Sequence, residues 1–316
     1  MKKKCFVGFD TSNYTTSVAV CDEFGRVIAN LKTPLPVKAG ERGLRQSDAV
    51  FSHIKNLPAL TDKLSEILCD GYEPIAVGVS ATPRDVEGSY MPCFLSGIAA
   101  AHSFASALGL KVYEFSHQSG HIMAAAYSSG SADKLLSDRF LAFHVSGGTT
   151  EALLVTPKGN SFSAALVGNT LDINAGQLID RVGVAMGLSF PCGAVLEGLA
   201  SEYSGKLPSP KITVKDGSCN LSGFENKAIK LFESSGDKNA VAAYVFESIC
   251  KTLIAMGEQL TDKYGSVPVL FAGGVMSNKY MRGELSKRFE AYFSEPAFSA
   301  DNAAGISILC RKEFLS

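Results

Sequence analysis

The chain has 316 residues, a length that fits about two domains of ordinary size. Apolar residues make up 46% and charged residues 19%, which excludes a disordered chain and supplies a sizeable core. Thirty Lys and Arg face 31 Asp and Glu, for a net charge of −1. The balance holds in both halves, with 15 basic and 15 acidic side chains in 1–158 and 15 and 16 in 159–316. No basic half or tail marks a nucleic-acid binder by charge alone.

The start, Met1-Lys2-Lys3-Lys4, runs directly into a strand, so no signal-peptide segment is expected. Strands are predicted over 5–9 and 17–20, then a helix over 49–69 and a strand over 75–79. Residues 88–110 carry no Asp, Glu, Lys or Arg, but Pro92 interrupts them and Ala, Gly and Ser are abundant. That pattern predicts a close-packed helix over 93–109 and no membrane span. Strands follow over 112–115, 140–145 and 152–155, then a helix over 171–187 and an irregular Pro-, Ser- and Gly-containing loop over 201–222. A long helix is predicted over 239–264, where Val241, Val245, Ile249 and Leu253 recur every four residues. A strand over 267–271 and helices over 277–289 and 302–312 complete an α/β chain. The eight cysteines, at 5, 21, 69, 93, 192, 219, 250 and 310, include no C-x-x-C pair. They are predicted to be buried thiols in a reducing, cytoplasmic setting.

An internal repeat organises the chain. Phe9-Asp10-Thr11-Ser12-Asn13-Tyr14-Thr15-Thr16 aligns with Phe143-His144-Val145-Ser146-Gly147-Gly148-Thr149-Thr150 at an offset of 134. Phe9, Ser12, Thr15 and Thr16 match Phe143, Ser146, Thr149 and Thr150, and each copy reads strand, tight turn, strand. Such turns point backbone N–H groups and hydroxyls into one concavity, which suits a phosphate. Gly273-Gly274, after the strand at 267–271, would let a flat ligand approach the backbone closely. Neither a P-loop nor a G-x-G-x-x-G fingerprint is present.

His117-Gln118-Ser119-Gly120-His121 places two histidines at i and i+4, on one face of a helix that Ser116 could cap. The pair could bind one metal, or be two partly buried polar residues at a helix terminus. Zinc-protease chemistry is excluded. The position of the general base in H-E-x-x-H is Gln118, and Gly120 rules out H-x-x-E-H. Asp301 is a candidate third ligand, with helix N-cap as its alternative role.

The chain resembles the universal tRNA threonylcarbamoyltransferases, formerly misnamed O-sialoglycoprotein endopeptidases or glycoproteases. The resemblance covers nearly the whole chain, in order. Phe9-Asp10-Thr11-Ser12 resembles the opening E/D-T-S, and His117-x-x-x-His121 the metal pair. Val145-Ser146-Gly147-Gly148-Thr149-Thr150-Glu151 resembles V-S-G-G-H-T-x. Leu171-Asp172-Ile173-Asn174-Ala175-Gly176-Gln177 through Asp180-Arg181 resembles D-D-A-x-G-E-x-x-D-K. Phe190-Pro191-Cys192-Gly193, Leu221-Ser222-Gly223, Ala272-Gly273-Gly274-Val275 with Asn278 and Arg282, and Asp301-Asn302-Ala303-Ala304 match four further blocks.

The resemblance implies an actin/hexokinase-like ATPase fold, two duplicated lobes around a nucleotide cleft. The lobes are expected at 1–138, with the histidine pair, and 139–316, with the nucleotide-binding loops. The last helix, carrying Asp301, is expected to pack back towards the first lobe. It further implies that His117, His121 and Asp301 hold one divalent metal, iron or zinc. Val145, Ser146, Gly147, Gly148, Asp180, Gly193, Gly273, Gly274 and Asn278 would line the site for an adenine nucleotide or acyl-adenylate. The implied reaction moves threonylcarbamoyl from its adenylate to N6 of a tRNA adenosine. The implied partners are tRNA and proteins of the threonylcarbamoylation pathway or a paralogue, with no membrane.

The chain departs from the family at several positions. The family's C-D-E-T is Asn13-Tyr14-Thr15-Thr16, the His of S-G-G-H-T is Thr149, and the Glu of A-G-E is Gln177. G-P-G-L is replaced by residues 81–88. No catalytic residue is therefore assigned. A non-transferring paralogue that binds nucleotide and metal as a regulatory or assembly partner stands as the alternative. A small-molecule kinase of the same fold is a weaker one, resting on fold analogy.

Overall fold

The structure is a computed structural model describing residues 2–36 and 44–316; Met1 lies outside the described residues. In chain order the first elements are β1 (Lys3–Thr11), β2 (Thr15–Asp22), β3 (Val27–Pro34), α1 (Gln46–Cys69), β4 (Tyr72–Thr82), α2 (Phe94–Leu108), β5 (Lys111–Ser116) and α3 (His117–Ser128). Next come α4 (Ala132–Leu135), β6 (Phe140–Val145), β7 (Thr150–Lys158), β8 (Ser161–Asn169), α5 (Ala175–Ala185) and α6 (Gly193–Ser201). A small hairpin of β9 (Val214–Lys215) and β10 (Ser218–Cys219) precedes α7 (Ser222–Ser235) and α8 (Lys238–Tyr264). The chain ends with β11 (Val269–Ala272), a 3-10 turn (Gly274–Ser277), α9 (Lys279–Ser286), β12 (Ala291–Phe293), α10 (Pro296–Ser299) and α11 (Ala304–Phe314).

The described residues form two compact units. The first is formed by the described residues within Met1–Ala132, Pro157–Ser163 and Ala297–Ser316; the second comprises Asp133–Thr156 and Ala164–Pro296. The first contains a five-stranded sheet in the order β3-β2-β1-β4-β5, with β1 to β3 an antiparallel meander and β4 and β5 parallel to β1. The other sheet, β8-β7-β6-β11-β12, repeats that order, with β11 and β12 parallel to β6. The register repeats as well. Asp10 pairs with Ser17 and Thr11 with Thr16, while His144 pairs with Glu151 and Val145 with Thr150. Each pair maps onto its counterpart at the offset of 134 seen in the sequence. The repeat is therefore structural.

In the first sheet, residues 5–11 of β1 are buried without interruption because helices cover both faces. Cys5, Val7 and Phe9 pack with Leu57, Leu60 and Leu64 of α1 and Ala101 and Ala105 of α2. Side chains alternate along a strand, so Phe6 and Gly8 face the other way. Phe6 meets Phe314 edge to face, with centroids 5.5 Å apart, and Gly8 meets the α11 backbone. A Cβ on Gly8 would lie 2.6 Å from both the Ala303 carbonyl and the Ser307 amide. A glycine is therefore needed for α11 to lie on the sheet. Burying each of these Phe or Val side chains contributes about 1.5–3 kcal/mol.

The second unit is centred on α8. Val241, Val245, Ile249, Leu253, Met256 and Leu260 run down its buried side into one core with Phe143, Phe271, Leu178 and Val182. This helix is long and apolar enough to cross a membrane, but 72% of its most apolar stretch is buried inside the protein.

Several sequence expectations are corrected. The helix predicted from 171 begins at Ala175, because Asp172 holds the preceding loop elsewhere. Its Oδ1 accepts from the Leu221 amide at 2.8 Å, and its Oδ2 accepts from the Ser222 amide and hydroxyl at 3.1 and 2.6 Å. The helix predicted over 277–289 is shorter, α9 at Lys279–Ser286, entered from a 3-10 turn that ends at Ser277. Asp301 stands three residues before α11, and it is Asn302 Oδ1 that accepts the Ala304 amide at 3.0 Å. All eight cysteines are free thiols; seven are buried and Cys69 is exposed. Burial pushes the thiols of Cys5, Cys21, Cys219 and Cys250 up to about 12.

Candidate functional site

The histidines sit at the start of α3, and local chemistry fixes that start. Ser116 caps the helix, its Oγ accepting the Ser119 amide at 3.0 Å. Asp85 Oδ2 accepts from the hydroxyls of Ser116 at 2.9 Å and Ser119 at 2.6 Å, and the Gln118 amide donates to the Pro83 carbonyl at 3.1 Å. The segment 81–88 thus fastens the histidine helix.

On the other side of the cluster, Asn302 fixes the loop that carries Asp301. Its Nδ2 donates to the carbonyls of Ala300 at 2.7 Å and Phe298 at 3.1 Å. Helices α3 and α11 then meet backbone to backbone at Gly120 and Gly305, where a Cβ on Gly305 would overlap the Gly120 carbonyl.

The result brings His117, His121 and Asp301 together, with three possible ligand atoms within 4.8 Å of one another. Nε2 of His121 lies 3.1 Å, and Nε2 of His117 3.6 Å, from Asp301 Oδ1. The two imidazoles stand edge to face, with centroids 4.4 Å apart. Nδ1–H of His117 donates to Asp10 Oδ2 at 2.6 Å. Asp10 is fully buried at the end of β1. Its Oδ2 also accepts from Ser80 Oγ at 2.6 Å, and its Oδ1 from the Ser12 amide at 2.9 Å.

The electrostatics follow from this packing. Burial works against a charged His117, but the carboxylates of Asp10 and Asp301 overcome it and push the ring up to about 10. Burial likewise opposes the Asp301 carboxylate, yet hydrogen bonds and charge from His117 and His121 hold it well below its ordinary value. Positive charge is therefore favoured where the three side chains meet. Two imidazoles and one carboxylate, one imidazole backed by a buried acid, fit a zinc or iron ion. Asp10 belongs to this site although its sequence context gave it no role. The available signal was an acid ending an otherwise apolar strand, Cys5-Phe6-Val7-Gly8-Phe9-Asp10.

The candidate nucleotide residues all lie in the second unit. Val145 is buried at the end of β6, while Gly147 and Gly148 are exposed, with open space where a side chain would stand. The turn is closed on itself. The Ser146 amide donates to the Thr149 carbonyl at 2.7 Å, and the amides of Gly148 and Thr149 donate to Ser146 Oγ at 3.3 and 3.1 Å. Gly273, at φ +98°, lies against the Val145 backbone so closely that a Cβ would overlap it. Gly274 opens the 3-10 turn. Gln177 completes the cap of α5 by accepting the Asn174 amide at 3.0 Å.

Asp180 Oδ1 accepts the Cys192 amide at 2.8 Å, which sets the start of α6 at Gly193. Asn278 Oδ1 accepts the Met281 amide at 3.0 Å as the N-cap of α9. Asn278 also lines a cavity of about 730 Å³, together with Glu197, Tyr203, Phe246, Glu247 and Tyr280. Asp180, Gly193 and the residues 145–148 do not line that cavity.

Comparison with known proteins adds the family. The family model for TsaD, tRNA N6-adenosine threonylcarbamoyltransferase, matches residues 41–308. The tRNA N6-adenosine threonylcarbamoyltransferase of Streptococcus suis is 28% identical over 328 residues, covering 99% of this chain and 94% of its own. That of Bacillus licheniformis is 28% identical over 330 residues, covering 97% and 91%. Among solved structures, component A of the (R)-2-hydroxyglutaryl-CoA dehydratase of Acidaminococcus fermentans superposes with a TM-score of 0.54 at 15% identity over 99% of each chain. A ROK family glucokinase from Streptomyces griseus superposes at 0.53 and 14%, over 97% of this chain and 98% of its own. These likenesses give the actin/hexokinase-like ATPase fold, in agreement with the two repeated sheets. The chain belongs to the TsaD family of tRNA N6-adenosine threonylcarbamoyltransferases.

Proposed function

We propose that this chain transfers a threonylcarbamoyl group from its adenylate to N6 of a tRNA adenosine. The new C–N bond forms at the carbamoyl carbon, the C–O bond to phosphate breaks, AMP leaves, and the N6 nitrogen loses a proton. The His117, His121 and Asp301 cluster, in a chain matched to the family over residues 41–308, carries this reading.

These three side chains would hold one divalent ion, iron or zinc. When bound, it would supply Lewis acidity toward an acyl or phosphate oxygen. In the second unit, the exposed backbone of Gly147 and Gly148 offers room for phosphate beside Val145 and Ser146. Gly273 and Gly274 keep the adjoining turn free of side chains. Asp180 keeps Oδ2 for a ribose hydroxyl while Oδ1 holds the turn before Gly193. Asn278 and the aromatic cavity beside it would receive the adenine base. The chain's even charge leaves tRNA binding to be shared with partner proteins, in the cytoplasm and away from membranes.

One observation favours the second reading, a paralogue that binds nucleotide and metal without transfer. Where the resemblance puts the family's Asp and Glu, this chain has Tyr14 and Thr15, which bring no carboxylate. Neutral side chains thus stand where the family has charged ones. The test is replacement in vivo. In a bacterium depleted of its own transferase, this chain should restore growth and N6-threonylcarbamoyladenosine, and His117→Ala should not. Failure to restore the nucleoside, with metal and nucleotide still raising the melting temperature, would favour the paralogue.

A further inference from the structure

The metal reading concerns three side chains, but a fourth is built into the same place. We propose that Asp10 is a positioning residue, which fixes the orientation and tautomer of His117 so that Nε2 is presented as the ligand atom. The inference rests on the reading of His117, His121 and Asp301 as a metal site.

The argument is one of donors and acceptors. A carboxylate only accepts, so the 2.6 Å contact requires the hydrogen on His117 Nδ1. The neutral ring then carries its lone pair on Nε2, the nitrogen that faces Asp301. Asp10 cannot turn away from this task. Ser80 Oγ–H donates to the same Oδ2, the Ser12 amide holds Oδ1, and the side chain is wholly buried. Three donors converge on one carboxylate, from the turn after β1, from β4 and from α3. Metal-bound histidines commonly lean on such an acid, and its loss costs about 10–100-fold in metal affinity.

The substitution Asp10→Asn separates positioning from packing. Asparagine keeps the shape but has only one acceptor oxygen. With that oxygen on the Ser12 amide, its NH2 faces His117 Nδ1 and moves the ring hydrogen to Nε2. Reversed, the NH2 points at the Ser12 amide, donor against donor. Either arrangement spoils the site. Asp10→Glu keeps both acceptors and is the residue the family resemblance allows at this position. Ser80→Ala removes one donor from Oδ2 without touching His117.

The test is a Zn2+ titration of the chelator-treated full-length protein by competition with a chromophoric chelator. A 15N-resolved imidazole spectrum of the zinc-loaded wild type accompanies it. The expected result is affinity about 10–100-fold weaker in Asp10→Asn, with Asp10→Glu and Ser80→Ala close to wild type. In the wild type, His117 should be protonated at Nδ1. Wild-type affinity in Asp10→Asn, equal losses in Asp10→Asn and Ser80→Ala, or a proton at Nε2 would each overturn the proposal and leave the metal site standing. If the wild type takes up no Zn2+, or His117→Ala takes it up unchanged, the metal site itself falls, and Asp10 with it. The imidazole spectrum needs no variant, so a folding failure in Asp10→Asn does not remove the test.

Discussion

The carbonyl of Gly120 lies against Cα of Gly305, closer than any side chain would allow. This contact sets the spacing of α3 and α11, and hence the distance from the two histidines to Asp301. A methyl group at 305 has only backbone to meet, so one helix must move. Gly305→Ala should lower stability by about 1–3 kcal/mol in denaturant unfolding and weaken metal uptake. At Gly120 a methyl group would meet the tip of the Ile306 side chain, 2.9 Å away, which can give way. Gly120→Ala should therefore be the milder change in both measurements.

Asn278 has two separable tasks. Its Oδ1 caps α9, and the residue also lines the aromatic cavity. Asn278→Ala should cost about 1 kcal/mol through the lost cap and weaken nucleotide binding. Asn278→Asp keeps an acceptor at the cap but loses the amide donor. It should retain the melting temperature of the wild type while binding AMP less tightly by calorimetry.

Asp172 should give the second unit a distinct acid sensitivity. Burial raises its carboxyl, but hydrogen bonds from Leu221, Ser222 and Ile173 outweigh that and bring it down to about 2, from 3.8. The folded state therefore favours the ionised form. Its stabilisation is fully present above about pH 4 and is lost as pH falls towards 2. Asp172→Asn should be less stable than wild type at pH 7, and the gap should close between pH 4 and 2. Urea titrations at a series of pH values would measure it; a gap independent of pH would contradict the assignment.

The ligand set makes its own demand. His117→Ala, His121→Ala and Asp301→Ala should each abolish stoichiometric metal while leaving the far-UV dichroism unchanged. Metal analysis of the purified variants is the direct check.

Much of this arrangement was legible in the sequence. The repeat at 9–16 and 143–150 foretold two sheets of one topology, because the matched residues lie at the same register positions. His117 and His121 were visible from spacing, and Ser116 from its capping chemistry. What remained hidden depends on tertiary contacts. Strand β3 is an edge strand with partly exposed residues and lacks a clear apolar alternation. The start of α5 is delayed by Asp172, whose partners Leu221 and Ser222 lie about fifty residues away. Asp10 looked like one member of a tight turn, yet its partners Ser80 and His117 come from other elements. Residues 201–222 are mostly irregular, as their Pro, Ser and Gly content implies, while α6 and α7 on either side lack a clean helical period.

The most direct test of the transferase reading uses the purified, metal-loaded chain with threonylcarbamoyl-adenylate, tRNA and the pathway's partner proteins, followed by mass spectrometry of the digested tRNA. The expected result is N6-threonylcarbamoyladenosine at wild-type His117 and none in His117→Ala. Unmodified adenosine in both samples, with the adenylate bound and metal in place, would contradict it.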